Sequence, residues 1–200
     1  MKNHADTIIC MDNLILVNKN NPLSKDYIPL DLEYINLPVD VVDEKKFLRK
    51  EAALWLRFLF KAAALDNCNL IAISGFRSYI RQDEIYNASI ISKSLEHTEN
   101  YIAKAGTSEH QTGLAIDLSC PTINNELEES FAHTKEGIWL YNNAYKYGFI
   151  IRYPLNYKHI TGYNYEPWHI RYIGKQHSIK MHNLNILTLE QYKKVVTKSM

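Results

Sequence analysis

The spacing of apolar positions changes several times along the chain, and each spacing predicts a different element. Between residues 44 and 65 apolar side chains recur at three- and four-residue intervals, which predicts a helix with one buried face. The members of this stripe are Leu48, Ala52, Trp55, Leu59 and Ala62. Residues 70–76 form a short apolar run that predicts a buried strand. Ser78 is then placed to cap a helix that runs to about residue 95, and a third helix is predicted over 98–104.

The second half of the chain alternates between strand-like and helix-like segments. Strands are predicted over 114–119, 149–153 and 168–173. Residues 135–148 predict a helix that ends at Gly148, because glycine tolerates the left-handed conformation that closes many helices. Beyond residue 174 one or two short helices are expected, and Thr188 and Gln191 have the spacing of a capping box.

These elements predict an α+β fold. Residues 1–43 mix short apolar runs with three prolines, which favours an extended N-terminal arm packed on the core. Strands and helices then follow one another without the regular rhythm of a doubly wound parallel sheet. We expect one catalytic domain over residues 1–200, with a small, mostly antiparallel sheet flanked by helices.

Composition and charge exclude several classes of partner. Lysine and arginine number 23 against 22 acidic residues, so the net charge of +1 offers no attraction to nucleic acid or to an anionic membrane. The most apolar stretch, 52–65, is too short for a membrane span and contains two basic residues. Acidic residues interrupt the N-terminus where a signal peptide needs an apolar core. We therefore expect a cytoplasmic location for the chain as written, or the cell envelope if an N-terminal anchor precedes it.

The cysteines do not predict a disulfide framework or a thiolate metal site. Cys10, Cys68 and Cys120 are widely separated, and no two of them form a CxxC pair. We expect buried free thiols, so any metal must be held by other side chains.

The candidate chemistry begins with the stretch SEHQTGLAID, residues 108–117. His110 precedes a turn at Gly113, and Asp117 lies in the strand that follows, so the two side chains can approach one point. Each alone has an ordinary reading, as a hydrogen-bonded structural histidine or a turn-capping aspartate. A metal needs a third ligand, and YEPWHIRY supplies His169, three residues after Glu166. Two histidines, one aspartate and a nearby free carboxylate are the groups that a catalytic zinc site requires.

Glu166 and His169 would point to opposite faces of a flat strand. Pro167 lies between them, and proline within a sheet commonly marks a bulge or the first residue of a strand. A bend at this point would bring both side chains into one pocket.

The two stretches together resemble the SxHxxGxAxD and ExxH motifs of the VanY-type D-alanyl-D-alanine carboxypeptidases. These zinc peptidases are grouped with the VanX dipeptidases and with L,D-carboxypeptidases that trim peptidoglycan. The similarity extends over nearly all of residues 14–196, including SGFRSYIRQDEIY upstream and TKEGIWLYNNAYKYGFIIRYP between the motifs. The resemblance implies one zinc ion bound by His110, Asp117 and His169, with Glu166 as the catalytic base.

The family pattern also implies a substrate site formed by Arg77, Gln82, Ser108 and Tyr153. Part of this has support from the sequence itself. If Ser78 caps a helix, Arg77 and Gln82 occupy the N′ and N4 positions, whose side chains are neighbours. An arginine at the end of a strand can also meet a carboxylate or a developing oxyanion with two parallel N–H groups.

The resemblance implies a zinc D,D-carboxypeptidase that removes the terminal D-alanine from a peptidoglycan stem peptide or its precursor. The alternatives within the family are a dual dipeptidase and carboxypeptidase of the VanXY kind and an L,D-carboxypeptidase. A third alternative is an inactive wall-binding module that keeps zinc as a structural brace. Glu166 and Arg77 argue against the brace, which would need neither.

Overall fold

The structure of the protein, a computed structural model, describes residues 13–37 and 43–197. The central sheet contains β3 (Ile71–Ser74), β4 (Ala115–Ser119), β5 (Phe149–Tyr153) and β6 (Glu166–Tyr172). These strands lie in the order β3-β4-β6-β5, and every neighbouring pair is antiparallel. Two short strands, β1 (Leu32–Tyr34) and β2 (Phe47–Arg49), form a separate antiparallel pair. The predicted α+β fold with a small antiparallel sheet is confirmed.

Seven α-helices accompany the sheet within the described ranges. They are α1 (Lys50–Leu65), α2 (Tyr79–Ser92), α3 (Leu95–Tyr101), α4 (Lys135–Asn143), α5 (Lys158–Thr161), α6 (Lys175–Asn183) and α7 (Leu189–Thr197). A short 3-10 helix, Glu109–Thr112, leads into β4. None of the helices in the described part of the chain is long and apolar enough to cross a membrane.

The main core lies between α1 and the sheet. Leu56 and Leu59 of α1 belong to the same buried cluster as Ile116 of β4, Ile170 of β6 and Phe149 of β5. Residues of the arm contribute as well, because Ile35 joins this cluster and Leu14 joins a second cluster beneath α6 and α7. The opposite face of β4 and β6 is therefore left for polar side chains.

The predicted helix over 44–65 is wrong in its first turn and a half. Residues Asp43–Lys46 form a 3-10 turn and the next three residues form β2, so α1 begins at Lys50. Tertiary hydrogen bonds override the helical spacing, because Phe47 pairs with β1 and its carbonyl accepts from the N–H of Phe76 at 2.7 Å. The buried face of α1 is also rotated from the predicted stripe, and it consists of Ala52, Ala53, Leu56, Leu59, Phe60 and Ala63.

Other boundaries moved by a few residues. The helix capped by Ser78 ends at Ser92 instead of residue 95, and the third helix spans 95–101 instead of 98–104. The predicted helix over 135–148 divides into α4 and a 3-10 turn that Gly148 ends at φ 88°. Both predicted caps form, since the Ser78 hydroxyl accepts from the N–H of Arg81 and the Thr188 hydroxyl accepts from that of Gln191.

Candidate metal centre

The topology of the sheet places the three predicted ligands side by side. Asp117 of β4 and His169 of β6 are register partners in adjacent antiparallel strands, so their side chains emerge on the same face. His110 comes from the 3-10 helix before β4. Gly113 ends that helix at φ 66°, which lets the chain turn back into the strand and carries His110 over Asp117.

The three side chains form one buried cluster. Oδ2 of Asp117 lies 3.2 Å from Nε2 of His110, and Oδ1 lies 2.8 Å from Nδ1 of His169. Each residue is 4–5% exposed, and each offers one ligand atom within 4.8 Å of the others. Atoms bound at about 2.0–2.1 Å to one tetrahedral ion lie about 3.3 Å apart, so the spacing fits a zinc site.

Hydrogen bonding assigns the ligand atom of His110. Its Nδ1 lies 2.7 Å from the carbonyl oxygen of Gly75, which can only accept, so Nδ1 carries the proton. Burial lowers the pKa of His110 and keeps the ring neutral. Its Nε2 lone pair then faces a carboxylate oxygen, an arrangement that a cation between the two would stabilise.

Asp117 and His169 have opposite pKa shifts in the metal-free protein. Burial alone would raise the pKa of Asp117, but the two histidines outweigh it and hold the pKa well below its usual value. For His169, burial acts to lower the pKa, but the neighbouring carboxylates of Asp117 and Glu109 outweigh it and raise the pKa to about 9. A metal ion therefore has to displace a proton from His169.

A bulge in β6 turns Glu166 toward the cluster. Ile151 pairs with Ile170, whereas Tyr153 pairs with Glu166, so β6 contains two extra residues between these pairs. Oε2 of Glu166 lies 3.9 Å from Nδ1 of His169, as the predicted bend at Pro167 requires. Burial raises the pKa of Glu166 to about 7, which suits a group that takes up and releases a proton near neutral pH.

Arg77 and Gln82 are in contact, as predicted from their positions around the cap of α2. Nη1 of Arg77 donates to Oε1 of Gln82 at 2.8 Å, and Nη2 donates to the hydroxyl of Ser74 at 3.0 Å. Nε2 of Gln82 donates to the carbonyl of Ala103 at 2.6 Å. The backbone N–H of Arg77 donates to the carbonyl of His110, which connects this pair to the three proposed metal ligands.

The remaining predicted substrate residues lie beside the histidines. The ring of Tyr153 stacks on His169 with centroids 4.9 Å apart and on Tyr163 with centroids 4.7 Å apart. Burial raises the pKa of Tyr153 well above its usual value, so its hydroxyl stays protonated. Ser108 is buried at the start of the 3-10 helix, two residues before His110. The structure thus brings seven of the eight predicted site residues into one connected set of contacts, and Ser108 lies two residues before His110 in the same segment.

Sequence reasoning missed a charged group directly behind the cluster. Glu109 is fully buried, and its Oε1 accepts from Arg152 of β5 and Arg171 of β6 at 2.8 and 2.7 Å. Two guanidinium groups outweigh the effect of burial and hold the pKa of Glu109 far below its usual value. A signal was available, since an arginine interrupts each of the apolar strands FIIRY and WHIRYI and a buried arginine requires a carboxylate.

A separate cavity of about 440 Å³ lies along the outer edge of β5. Ile150, Ile151 and Tyr165 line it together with residues of α4 and α6. Its lining includes none of the predicted site residues.

Comparison with known proteins places this geometry in one family. A family model described as VanY, D-alanyl-D-alanine carboxypeptidase, matches residues 45–175. The putative carboxypeptidase YodJ of Bacillus subtilis (strain 168) is 44% identical over 196 residues, which are 96% of this chain and 71% of that protein.

Two solved structures are similar to this chain in fold as well as in sequence. An LdcB LD-carboxypeptidase superimposes with a TM-score of 0.85 at 44% identity, covering 92% of this chain and 86% of that one. A mutant of the vancomycin resistance D,D-pentapeptidase VanY from a VanB-type cassette, in complex with Zn(II), superimposes with a TM-score of 0.74 at 32% identity. That match covers 90% of this chain and 98% of the VanY chain.

Proposed function

We propose that this chain, which belongs to the VanY family of D-alanyl-D-alanine carboxypeptidases, uses zinc to remove the terminal D-alanine from peptidoglycan stem peptides or their precursors. The observation that carries the proposal is the buried cluster of two histidines and one aspartate with a second carboxylate, that of Glu166, beside it. A purely structural metal site is usually closed by four protein ligands and needs no base.

His110 through Nε2, Asp117 through its carboxylate and His169 through Nδ1 would hold the metal. A zinc ion with three protein ligands supplies a water of pKa about 7 and polarises a carbonyl oxygen. The carbonyl of Gly75 fixes the ring of His110 by a 2.7 Å hydrogen bond, and the Tyr153 ring supports His169 by stacking. The ligands are thus held in place before the substrate arrives.

Glu166 moves the proton in this proposal. Its carboxylate takes a proton from the attacking water and returns it to the amine of the departing D-alanine. A pKa of about 7 makes both transfers accessible at neutral pH. A bound cation would lower the pKa of Glu166 from this raised value and favour the ionised form.

Arg77 supplies positive charge for the C-terminal carboxylate of the peptide or for the charge that develops on the scissile carbonyl. Both ends of the Gln82 amide are engaged, one by Arg77 and one by Ala103, so Gln82 orients the guanidinium. Ser108 and Tyr153 are the proposed contacts to the peptide. A free C-terminal carboxylate is therefore a requirement of the substrate.

An L,D-carboxypeptidase is the second candidate, and a specific observation favours it. The similarity to LdcB, with a TM-score of 0.85 and 44% identity, exceeds that to the zinc-bound VanY, with 0.74 and 32%. Both activities release D-alanine from the end of a stem peptide, and they differ in the residue that precedes the cleaved bond.

A panel of three substrates separates the candidates. The zinc-loaded protein is incubated with a pentapeptide ending in D-Ala-D-Ala, a tetrapeptide ending in L-Lys-D-Ala and the dipeptide D-Ala-D-Ala, and free D-alanine is measured. Release from the pentapeptide alone supports the D,D activity, and release from the tetrapeptide alone supports the L,D activity. Cleavage of the dipeptide together with the pentapeptide identifies an enzyme of the VanXY kind. Release from none of them refutes the proposed function.

A further inference from the structure

A fully buried network of ion pairs lies directly behind the three proposed metal ligands. Glu109 receives both of its short ion pairs on one oxygen, Oε1, from Nε of Arg152 and Nη1 of Arg171. All three side chains are 0% exposed. Burying such charges carries a large desolvation cost, and ion pairs of this kind contribute little net stability compared with apolar packing. The network therefore suggests a role in the site beside it.

The two arginines are themselves fixed from outside. Arg152 binds both carboxylate oxygens of Glu190 in α7, at 2.9 and 2.7 Å. Nη2 of Arg171 donates to the carbonyls of Asn13 and Ile15 in the N-terminal arm. Glu109 is thus held by groups from two strands, one helix and the arm, and its carboxylate has little freedom to turn.

The second oxygen of Glu109 points at a metal ligand. Oε2 of Glu109 and Nε2 of His169 are both buried without a hydrogen-bond partner among the described residues, and they face each other at 3.7 Å. The other ring nitrogen, Nδ1, faces Asp117 at 2.8 Å. A closing movement of less than about 1 Å would bring Oε2 and Nε2 into hydrogen-bond range.

These contacts decide which ring nitrogen of His169 can bind a metal. A metal-bound imidazole keeps one proton, and it lies on the nitrogen that does not bind. An ionised carboxylate can only accept, so Glu109 favours the tautomer with hydrogen on Nε2 and a lone pair on Nδ1. We propose that Glu109 is a positioning residue that fixes this tautomer and the ring orientation of His169, with Arg152 and Arg171 holding its carboxylate in place. The inference deepens the proposed zinc site and rests on it.

The substitution Glu109→Gln tests the tautomer directly. Two guanidinium groups require an acceptor, so the single amide oxygen turns to Arg152 and Arg171, and the amide NH2 faces His169. A donor at that position favours the opposite tautomer, with hydrogen on Nδ1 where the metal should bind. We expect zinc affinity to fall about 10- to 100-fold, the usual effect of losing the carboxylate partner of a ligating histidine.

Glu190→Gln is the matched control, because it removes a charge from the same network without facing His169. Zinc affinity of the wild type and both variants is measured by competition with a chelator, and thermal unfolding reports the state of the fold. Long-range 1H–15N spectra of zinc-loaded, 15N-histidine-labelled protein report the tautomer of His169, assigned by comparison with His169→Ala. Wild-type protein should show hydrogen on Nε2.

A loss of zinc affinity in Glu109→Gln that is at least tenfold greater than in Glu190→Gln supports the proposal. Equal affinities in the two variants overturn it, as does a wild-type spectrum with hydrogen on Nδ1 of His169. If Glu109→Gln does not fold, the wild-type spectrum alone decides. Zinc binding with the expected tautomer but without D-alanine release would refute the proposed function and still support this role of Glu109.

Discussion

Replacing Glu166 by glutamine removes a proton acceptor beside the proposed metal ligands and keeps the size and polarity of the side chain. Oε2 of Glu166 lies 3.9 Å from Nδ1 of His169, and the side chain is 17% exposed. If Glu166 is the general base, turnover should fall by about 10²–10⁴-fold, the range for losing acid–base catalysis. This corresponds to about 3–5 kcal/mol of transition-state free energy. The metal ligands are untouched, so zinc content should stay at the wild-type level.

No neighbouring carboxylate is available to rescue the reaction. The other acidic side chains that contact His169 in the described part of the chain are Asp117 and Glu109. Asp117 lies between the two histidines as a proposed ligand, and Glu109 is paired with two buried guanidinium groups. The loss of Glu166 should therefore appear in full.

The assay combines D-alanine release, zinc content and thermal unfolding. His169→Ala is the control, because it removes a proposed ligand and should lose both zinc and turnover. Wild-type turnover by Glu166→Gln at full zinc occupancy would refute the role of Glu166 as the base. A loss of zinc equal to that of His169→Ala would show instead that Glu166 is a ligand.

Three further predictions concern the substrate, the metal and the fold. An amide-capped pentapeptide, which cannot present a charge to Arg77, should be cut at least about tenfold more slowly than the free acid, as followed by chromatography of the products. Because the pKa of His169 is raised to about 9 in the metal-free protein, zinc must displace a proton below that pH. Its apparent affinity should therefore rise at least about tenfold per unit between pH 6 and 8, and a pH-independent chelator competition would contradict this. Both Gly148 and Gly162 have a positive φ, 88° and 79°. Gly148→Ala places a Cβ 2.4 Å from the buried ring of Tyr172, whereas the Cβ of Gly162→Ala meets only Lys19, at 3.8 Å. Thermal unfolding should show a loss of about 3 kcal/mol for the first and about 1 kcal/mol for the second, and equal losses would contradict the steric argument.

The proximity of His110 and Asp117 could be predicted because local geometry brings the two side chains together. A glycine turn between His110 and Asp117 folds one ligand over the other, and this depends on only eight residues of chain. The third ligand lies in the neighbouring strand, and the ExxH motif identified it through family resemblance. The sequence could suggest a bend at Pro167, and the register shift in β6 has the form that such a bend requires.

The start of α1 could not be predicted from spacing alone. Leu48 continues the apolar stripe toward the N-terminus and is fully buried, but it is buried as part of a strand. Its neighbours Phe47 and Arg49 are held by backbone hydrogen bonds to segments distant in sequence, to Phe76 and to Gly113. Helical periodicity reports which side chains are buried, and it does not report which partner the backbone chooses.

The ion-pair partner of Arg152 and Arg171 also could not be predicted from the sequence alone. Arg152 and Arg171 occupy inward positions of apolar strands, where a lone arginine would be strongly destabilising, so each implies a carboxylate within reach. Twenty-two acidic residues are candidates, and only the antiparallel pairing of β5 with β6 brings both arginines to Glu109. The residue beside a ligand in sequence thus also supports the other ligand histidine in space.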